Sequence, residues 1–263
     1  MSQVFEIKGE GLTVHNLALL ASEPKTRVQL AQSAREKMLT SRSYIERRLS
    51  SGEVMYGVNT GFGAFSSVRI SDLEIEELQR NLIRSHCVGI GQPFTKQQTR
   101  AMMVLRANAL ARGHSGIRPI VVEKILEFLN ADLIPVIPCQ GSVGASGDLA
   151  PLSHLALALI GEGEAWGEED KIVEVSQLLS AKKIKPLELK AKEGLSLING
   201  CQVMTAIGML SIAEAQKLLK HVDIAGAISL EALRGSRKAF DPLISATRPH
   251  AGEAKTARNL LKI

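Results

Sequence analysis

The sequence predicts a mainly α-helical protein with a few short strands, and three observations favour that fold class. Hydrophobic residues make up 45% of the 263 residues but aromatic residues only 3%, so the core must be built from aliphatic side chains, which suits packed helices. Charged residues make up 22%, as in ordinary globular proteins. Helix-start patterns recur from residue 71 onward, and glycines follow the apolar segments that these patterns open.

Two capping boxes open the first two predicted helices. Ser71-Asp72-Leu73-Glu74 precedes apolar residues at helical spacing, so this helix is expected to run to about Val88 and to stop at Gly89. Thr95-Lys96-Gln97-Gln98 opens the second helix, which is expected to stop at Gly113.

Prolines mark the next elements. Pro119 opens a third helix that should reach about Asn130. The prolines at 135 and 138 predict an extended segment, and Pro151 fits the first turn of a helix with its body at 152–160.

A polar and charged stretch from Glu164 to Glu193 is the predicted domain boundary, and Val173 and Val175 suggest short strands or loops within it. We expect one domain at 1–190, and the beginning of an incomplete bundle of long helices at 191–263.

The second domain should contain a long helix from Asn199 to about Val222. Its alanines, leucines and isoleucines suggest burial on most sides. A second helical stretch is expected from Ile224 to Leu233, and a third begins before Ile263.

The net charge of +5 is unevenly spread along the chain. Residues 1–170 hold 17 Lys and Arg against 19 Asp and Glu, whereas residues 171–263 hold 15 against 8. The basic residues of the second part stand among apolar ones, without aromatic side chains to stack bases, which argues against nucleic-acid binding. We expect this basic segment to lie against acidic protein outside the chain.

Cysteine usage and hydropathy predict a cytoplasmic protein without a membrane association. The three cysteines form no CxxC pair, so neither a disulfide framework nor a zinc site is indicated. The first eight residues lack the apolar run of a signal peptide. The apolar stretch at 149–160 is too short to span a bilayer.

The tripeptide Ala145-Ser146-Gly147 carries the strongest chemical signal. If the Gly147 nitrogen attacks the Ala145 carbonyl and two waters leave, a methylidene-imidazolone ring forms, with an exposed methylene on the former Ser146. Gly147 has no Cβ to block this attack. Asp148 is either a helix-start acid or a group that moves protons during ring formation. The ring is an electrophile made without an external cofactor, and no HExxH motif or paired His/Cys cluster indicates a metal.

Five segments of this chain resemble motifs of the aromatic amino-acid ammonia-lyases, above all of the histidine-specific branch, and they follow one another along the chain in the same order as in that family. They are GASGDLAPLSH at 144–154, YGVNTGFG at 56–63, NLIRSH at 81–86, GLSLING at 194–200, and RPH at 248–250 followed by Gly252. The resemblance covers essentially the whole chain. It implies non-oxidative loss of ammonia from an aromatic amino acid, such as L-histidine giving urocanate, with the methylidene-imidazolone as electrophile.

The resemblance also implies roles for individual residues. Tyr56 is the candidate base that removes the β-proton, in a glycine-flanked loop that could close over a ligand. His86 would contact the substrate side chain or amine, and Asn199 would bind the imidazolone oxygen or the substrate. Taken alone, these residues fit a packing tyrosine, a helix-end cation and an N-cap residue. His154, on an apolar helix, fits a core or interface histidine.

Members of this family are much longer than 263 residues, and their second half supplies further site residues, including an arginine that grips the substrate carboxylate. The chain is therefore expected to carry part of an active site, completed by other copies in a tetramer or by a second chain. Exposed faces of the 199–263 helices would form an apolar patch for that contact. The alternatives are a catalytically silent assembly module, an aminomutase, or a tyrosine or phenylalanine ammonia-lyase.

Overall fold

The computed structural model describes residues 4–61, 70–71, 74–142 and 149–263. It confirms a mainly helical fold with short strands. The residues group into two compact units, Met1–Leu210 and Ser211–Ile263.

Eleven α-helices lie in the described parts of the chain. They are α1 (Val14–Ser22), α2 (Gln32–Ser50), α3 (Ile75–His86), α4 (Lys96–Ala111), α5 (Pro119–Asn130), α6 (Leu149–Leu159), α7 (Val175–Lys182), α8 (Glu193–Ile198), α9 (Gln202–Ala232), α10 (Pro242–Thr247) and α11 (Ala251–Lys262).

Seven short strands pair in three small sheets within the described residues. The strands are β1 (Val4–Ile7), β2 (Arg27–Leu30), β3 (Ile90–Pro93), β4 (Ile134–Pro135), β5 (Pro138–Gln140), β6 (Glu164–Trp166) and β7 (Ile172–Glu174). Strands β1 and β2 are parallel, β3 and β5 are antiparallel, and β4, β6 and β7 form an antiparallel sheet in the order β4-β6-β7.

The main core lies in the first unit around α4. This helix contacts α1, α2 and α5, and most of its residues from Thr99 to Ala111 are buried. Phe128 on α5 is the largest fully buried side chain, and it is surrounded mainly by aliphatic residues and methionines. An aliphatic core of this kind is what the low aromatic content predicts.

Three of the predicted helix starts are confirmed. Thr95 forms a complete capping box with Gln98, Pro119 is the first residue of α5, and Pro151 lies in the first turn of α6. The prolines at 135 and 138 lie in β4 and β5, in the extended segment that they predict.

The first capping box differs from its prediction. Helix α3 begins at Ile75, its N-cap is Glu74, and it ends at His86 rather than near Val88. The Ser71 hydroxyl donates to the Glu74 carboxylate at 2.5 Å instead of accepting an amide. Asp72 and Leu73 lie outside the described residues.

The expected interruption between Val222 and Ile224 is wrong, because α9 continues through these positions to Ala232. The reason is local, since the residues at 221–224 include neither proline nor glycine. The expected burial on most sides is also wrong for this chain. Leu218 and Leu219, for example, are 63% and 64% exposed. The apolar residues are there, but the chain itself does not cover them.

The second unit combines the later part of α9 with α10 and α11. The Asn259 amide on α11 donates to the Asp223 carboxylate on α9 at 2.6 Å. Helix α10 begins with Pro242 after the N-cap Asp241, whose carboxylate accepts the Leu243 amide at 2.9 Å. This local cap gives α10 a defined start.

One stretch of the described chain, Glu193–Ala232, is long and apolar enough to cross a bilayer by length and composition alone. Part of it belongs to the core of the first unit, because Leu197, Ile198, Val203 and Ala206 are buried there. A core role thus accounts for the apolar character of its first part.

Candidate active site

Tyr56 lies in a turn that its own neighbours hold in place. The Asn59 side chain is buried, accepts the Met55 amide at 2.7 Å and donates to the Glu53 carbonyl at 2.7 Å. The buried Thr60 hydroxyl accepts the Gly57 amide at 3.2 Å, and Gly57 has a φ of 69° that favours glycine. Tyr56 itself is 62% exposed. The turn is therefore fixed from inside while it presents the phenol outward.

A small apolar cluster ties this turn to two other candidate segments. Val58 packs with Ile75, the first residue of α3, and with Ala191, which precedes α8. The turn thus packs against the first residue of the helix that ends at His86 and against a residue two positions before the helix that leads to Asn199. Phe62 and Gly63, the last residues of the tyrosine motif, lie outside the described residues.

His86 is the last residue of α3 and is half-buried. Its Nδ1 lies 2.9 Å from the Leu82 carbonyl oxygen. The Ser85 hydroxyl lies 3.1 Å from the same nitrogen. A carbonyl only accepts, so the Leu82 contact requires a hydrogen on Nδ1, and a neutral ring in that form has its lone pair on Nε2.

Ala145, Ser146, Gly147 and Asp148 lie outside the described residues, but both flanks of this segment are anchored. Gly141 has a φ of 127°, and a Cβ there would lie 3.0 Å from the Gly89 Cα. The backbone at Gly141, before the tripeptide, therefore lies against Gly89, three residues after the end of α3. On the other side, α6 begins at Leu149 and is buried along most of its length. The described residues on both sides of this segment therefore have defined positions.

Asn199 is the C-cap of α8 and not the N-cap of the following helix, which starts at Gln202. Its backbone N–H donates to the Leu195 carbonyl at 3.0 Å. Its backbone carbonyl accepts from the Arg106 guanidinium at 2.9 Å, and the same guanidinium donates to the backbone carbonyl of Ser196. Arg106 is 4% exposed. A buried cation on the last carbonyls of a helix is favourable, so Arg106 holds the backbone on which Asn199 stands.

The other end of α8 is fixed by a buried carboxylate. Glu193 is fully buried and binds the Arg118 guanidinium through both oxygens, at 2.8 and 2.7 Å. It also accepts the backbone amides of Arg118 and Lys190 at 3.1 and 2.8 Å. Because every one of these donors belongs to the loops before α5 and α8, Glu193 locks those loops together.

His154 on α6 is half-buried, and its Nε2 accepts the Gly89 amide at 3.1 Å. Burial lowers the pKa of this imidazole, which keeps the neutral, accepting form. The contact joins the helix that follows the tripeptide to the residues that follow His86. The sequence-based interpretation of His154 is a core or interface histidine, and the structure gives it a half-buried position with a hydrogen bond inside the chain.

A polar cavity of about 270 Å³ lies beside Asn199. Its lining includes the side chains of Arg106, His114 and Lys192 and contains no acidic residue. Burial, helped by the nearby positive charge of Arg42, lowers the pKa of Lys192. Such a lining favours a neutral or negatively charged group. No group of three or more His, Cys, Asp and Glu residues in the described chain could hold a metal ion.

Helices α3, α6 and α8 contact one another in all three pairs. The structure thus brings together the helix that ends at His86, the helix that follows the tripeptide, and the helix that ends at Asn199. The Tyr56 turn joins them through the Val58 cluster. Arg106 and Glu193 were not identified from the sequence. Arg106 stands among apolar neighbours in the sequence, which is a local sign of its role, whereas Glu193 follows charged residues and shows no such sign.

The sequence profile of a family described as aromatic amino acid lyase matches residues 12–263. A histidine ammonia-lyase of Alkaliphilus metalliredigens is 45% identical over 257 residues, which cover 98% of this chain and 50% of that protein. A histidine ammonia-lyase of Gloeobacter violaceus is 48% identical over 236 residues, covering 89% and 45%.

Solved structures give the same result. The histidine ammonia-lyase of Trypanosoma cruzi superposes with a TM-score of 0.92 at 38% identity and covers 98% of this chain and 50% of its own. The tyrosine aminomutase of Streptomyces globisporus superposes with a TM-score of 0.90 at 38% identity, covering 97% and 48%. The chain spans about half the length of the curated relatives that it matches.

Proposed function

Because the chain belongs to the aromatic amino acid lyase family, we propose that it supplies half of an active site that eliminates ammonia from L-histidine and releases urocanate. The observation that carries this proposal is the mutual contact of α3, α6 and α8. It brings together the helix that ends at His86, the helix that follows the tripeptide segment in the sequence, and the helix that leads to Asn199. The histidine ammonia-lyases among the relatives support the choice of substrate.

The family uses a methylidene-imidazolone group, and Ala145, Ser146 and Gly147 are the residues that would form it here. When formed, this group supplies an electron sink for the substrate. The close approach of Gly141 to Gly89 and the start of α6 at Leu149 fix the two ends of this segment, and this supports ring closure because a chain fixed on both sides loses less entropy when it is compressed. Asp148 is the residue proposed to assist proton movement during that closure.

Tyr56 is the proposed base for the β-proton. Its turn is fixed by Asn59 and Thr60, so the phenol is held on a defined backbone while its side chain stays accessible. A base of this kind must reach the proton directly or through one water, and accessibility on the outside of the turn allows a ligand to approach it.

His86 and Asn199 are the proposed substrate-binding residues. With hydrogen on Nδ1, His86 offers its Nε2 lone pair to an N–H group of the substrate, either on the imidazole ring or on the amine. Asn199 offers both a donor and an acceptor from a backbone that Arg106 holds. Together they would orient a polar aromatic amino acid.

The remaining part of the site is proposed to come from further copies in a tetramer or from a second chain with the rest of the family's length. The exposed leucines of α9 support this, because an apolar helix face favours contact with another protein surface. The three cysteines are free, which fits the reducing cytoplasm proposed as its location. We propose neither a nucleic acid nor a membrane as a partner of this chain.

Two other functions have specific support. An assembly module without activity is favoured by the half-length match and by the exposed face of α9. An aminomutase, which returns the amine to the β-carbon, is favoured by the similarity to a tyrosine aminomutase structure. Identification of the product formed from L-histidine or L-tyrosine separates lyase, aminomutase and silent module.

The first test is the intact mass of the purified chain compared with that of Ser146→Ala. We expect the native chain to lack the mass of two waters, mapped to the peptide with Ala145-Ser146-Gly147, because Ser146 provides the oxygen lost in the second dehydration. Ser146→Ala cannot undergo this second dehydration and should not show the deficit of two waters. A native chain of full mass would show that this chain alone does not form the electrophile.

A further inference from the structure

Helix α8 has no N-cap side chain of its own. The N-cap position is Lys192, which adopts a φ of 74° and makes no side-chain cap. A helix of six residues is too short to be stable by itself, so its first-turn amides need partners from elsewhere. The helix matters because it leads directly to Asn199.

Gln79 on α3 provides those partners. Its side chain is fully buried, and its Oε1 accepts the amides of Gly194 at 2.9 Å and of Leu195 at 3.3 Å. These are the second and third residues of α8, the same two amides that an N-cap side chain normally binds. Gln79 therefore caps α8 from a helix 115 residues earlier in the sequence.

Gly194 makes this close approach possible. A Cβ at Gly194 would lie 2.7 Å from the Gln79 carbonyl oxygen and 3.0 Å from its Oε1. Glycine is unfavourable inside a helix by about 1 kcal/mol, so its presence here follows from the contact with α3. Because Gly194 has no side chain, the backbones of α3 and α8 come into direct contact at Gln79 and Gly194.

Gln79 lies seven residues before His86 on the same helix, a distance of about 10 Å along its axis. At the opposite end of α8, Arg106 holds the carbonyls of Ser196 and Asn199. A displacement at the Gln79–Gly194 contact would therefore change the spacing between His86 and Asn199. We propose that Gln79 is a positioning residue, which sets the spacing of these two substrate-binding groups by capping α8 from α3. Their role as substrate-binding groups rests on the proposed function.

The Gln79 amide nitrogen has no hydrogen-bond partner among the described residues. Only the oxygen is therefore needed for capping, and this provides a matched pair of variants. Gln79→Glu keeps an oxygen acceptor, and the start of a helix favours its negative charge. Gln79→Met has a similar length but offers no oxygen.

Hydrogen exchange and NMR of the full 263-residue chain test the proposal without any need for activity. In Gln79→Met, we expect the Gly194 and Leu195 amides to exchange about tenfold faster, as loss of hydrogen bonds of ordinary strength implies. The side-chain resonances of Asn199 should shift, while the ring resonances of His15 on α1 stay in place. Gln79→Glu should restore both measurements.

Equal behaviour of Gln79→Met and Gln79→Glu, or unchanged exchange and resonances in Gln79→Met, would overturn the proposal. If Gln79→Met does not fold, Gly194→Ala probes the same contact from α8 and should produce the same exchange and resonance changes. Unchanged Asn199 resonances in Gly194→Ala would likewise contradict it.

Where the site is assembled and turns over L-histidine, Gln79→Met should lower kcat by about ten- to a hundredfold, as small misplacements of reacting groups do, with a smaller change in KM. A wild-type assembly that does not turn over L-histidine would count against the proposed function. The exchange and resonance results would still decide the positioning role of Gln79.

Discussion

Buried or half-buried polar side chains hold the backbone beside each candidate site residue. Asn59 fixes the turn of Tyr56, Arg106 binds the backbone carbonyl of Asn199, and the His154 ring accepts a hydrogen bond from the backbone amide of Gly89, three residues after His86. Each of these side chains provides a hydrogen-bond partner for a backbone group that lacks one in its own helix or strand. At the residue scale, the candidate site is defined as much by these supporting groups as by the residues that would meet a ligand.

His154 gives a pH prediction. Burial lowers its pKa in the folded chain below the ordinary value of 6.5, so the neutral ring adds stability above that value. As pH falls, the unfolded chain binds a proton first, and this stability is lost down to the folded pKa. We expect the free energy of unfolding to fall more between about pH 7.5 and 5.5 in the wild type than in His154→Gln, which accepts a hydrogen bond but does not titrate.

Urea unfolding of both proteins across that range measures the difference. Parallel stability profiles for the wild type and His154→Gln would show that His154 does not contribute to the acid sensitivity.

At the scale of elements, helix ends decide where the chain turns. Thr95, Pro119 and Asp241 mark helix starts through their own side chains or rings, and these starts depend on only three or four neighbouring residues. Helix α8 differs, because its caps come from Gln79 and Arg106 on other helices. Elements that carry their own caps form from local sequence, while α8 depends on the packed first unit.

The capping box of α4 provides a direct test. The Thr95 hydroxyl accepts the Gln98 amide at 3.2 Å, and the Gln98 side chain accepts the Thr95 amide at 2.9 Å. Thr95→Ala should reduce the free energy of unfolding by about 0.5–2 kcal/mol, whereas Thr95→Ser keeps the hydroxyl and should lose less. Chemical denaturation of the three proteins measures this. Equal losses in the two variants would exclude the hydroxyl as the cause.

At the scale of the whole molecule, the first unit has its own extensive core, while much of α9 exposes apolar side chains. Ile212, Leu219 and Ile228 are 49%, 64% and 61% exposed. When the exposed apolar surface of one chain is buried against another chain, the association gains roughly 25 cal/mol per Å² of apolar surface removed from water. The molecule is therefore suited to association through α9.

We expect the purified chain to self-associate as its concentration rises. Leu219→Glu should weaken association, because burial of the new carboxylate is unfavourable. Gln216→Glu adds the same charge at an exposed polar position of the same helix and serves as control. Sedimentation velocity measures the mass. A wild type that stays monomeric at high concentration and binds no hydrophobic dye would contradict this expectation.

Much of the fold could be predicted from short stretches of sequence. The Thr95 capping box, Pro119 at a helix start and the extended segment at 135–138 all depend on neighbouring residues. The segment from 4 to 50 was not predicted, although the Thr13 hydroxyl caps α1 by accepting the Asn16 amide at 3.1 Å. Its helices show weaker start patterns than those at 95 and 119.

The sequence by itself determined the family and the predominance of helices, because each follows from the identity and order of nearby residues, and for the same reason it predicts the tripeptide chemistry. Only the tertiary structure decided which side chains hold the candidate site, since Gln79 and Gly194 are 115 residues apart and Arg118 and Glu193 are 75 apart. It also decided that α9 is continuous and exposed in this chain. Burial depends on what packs against a surface, and no local pattern records the position of a distant partner.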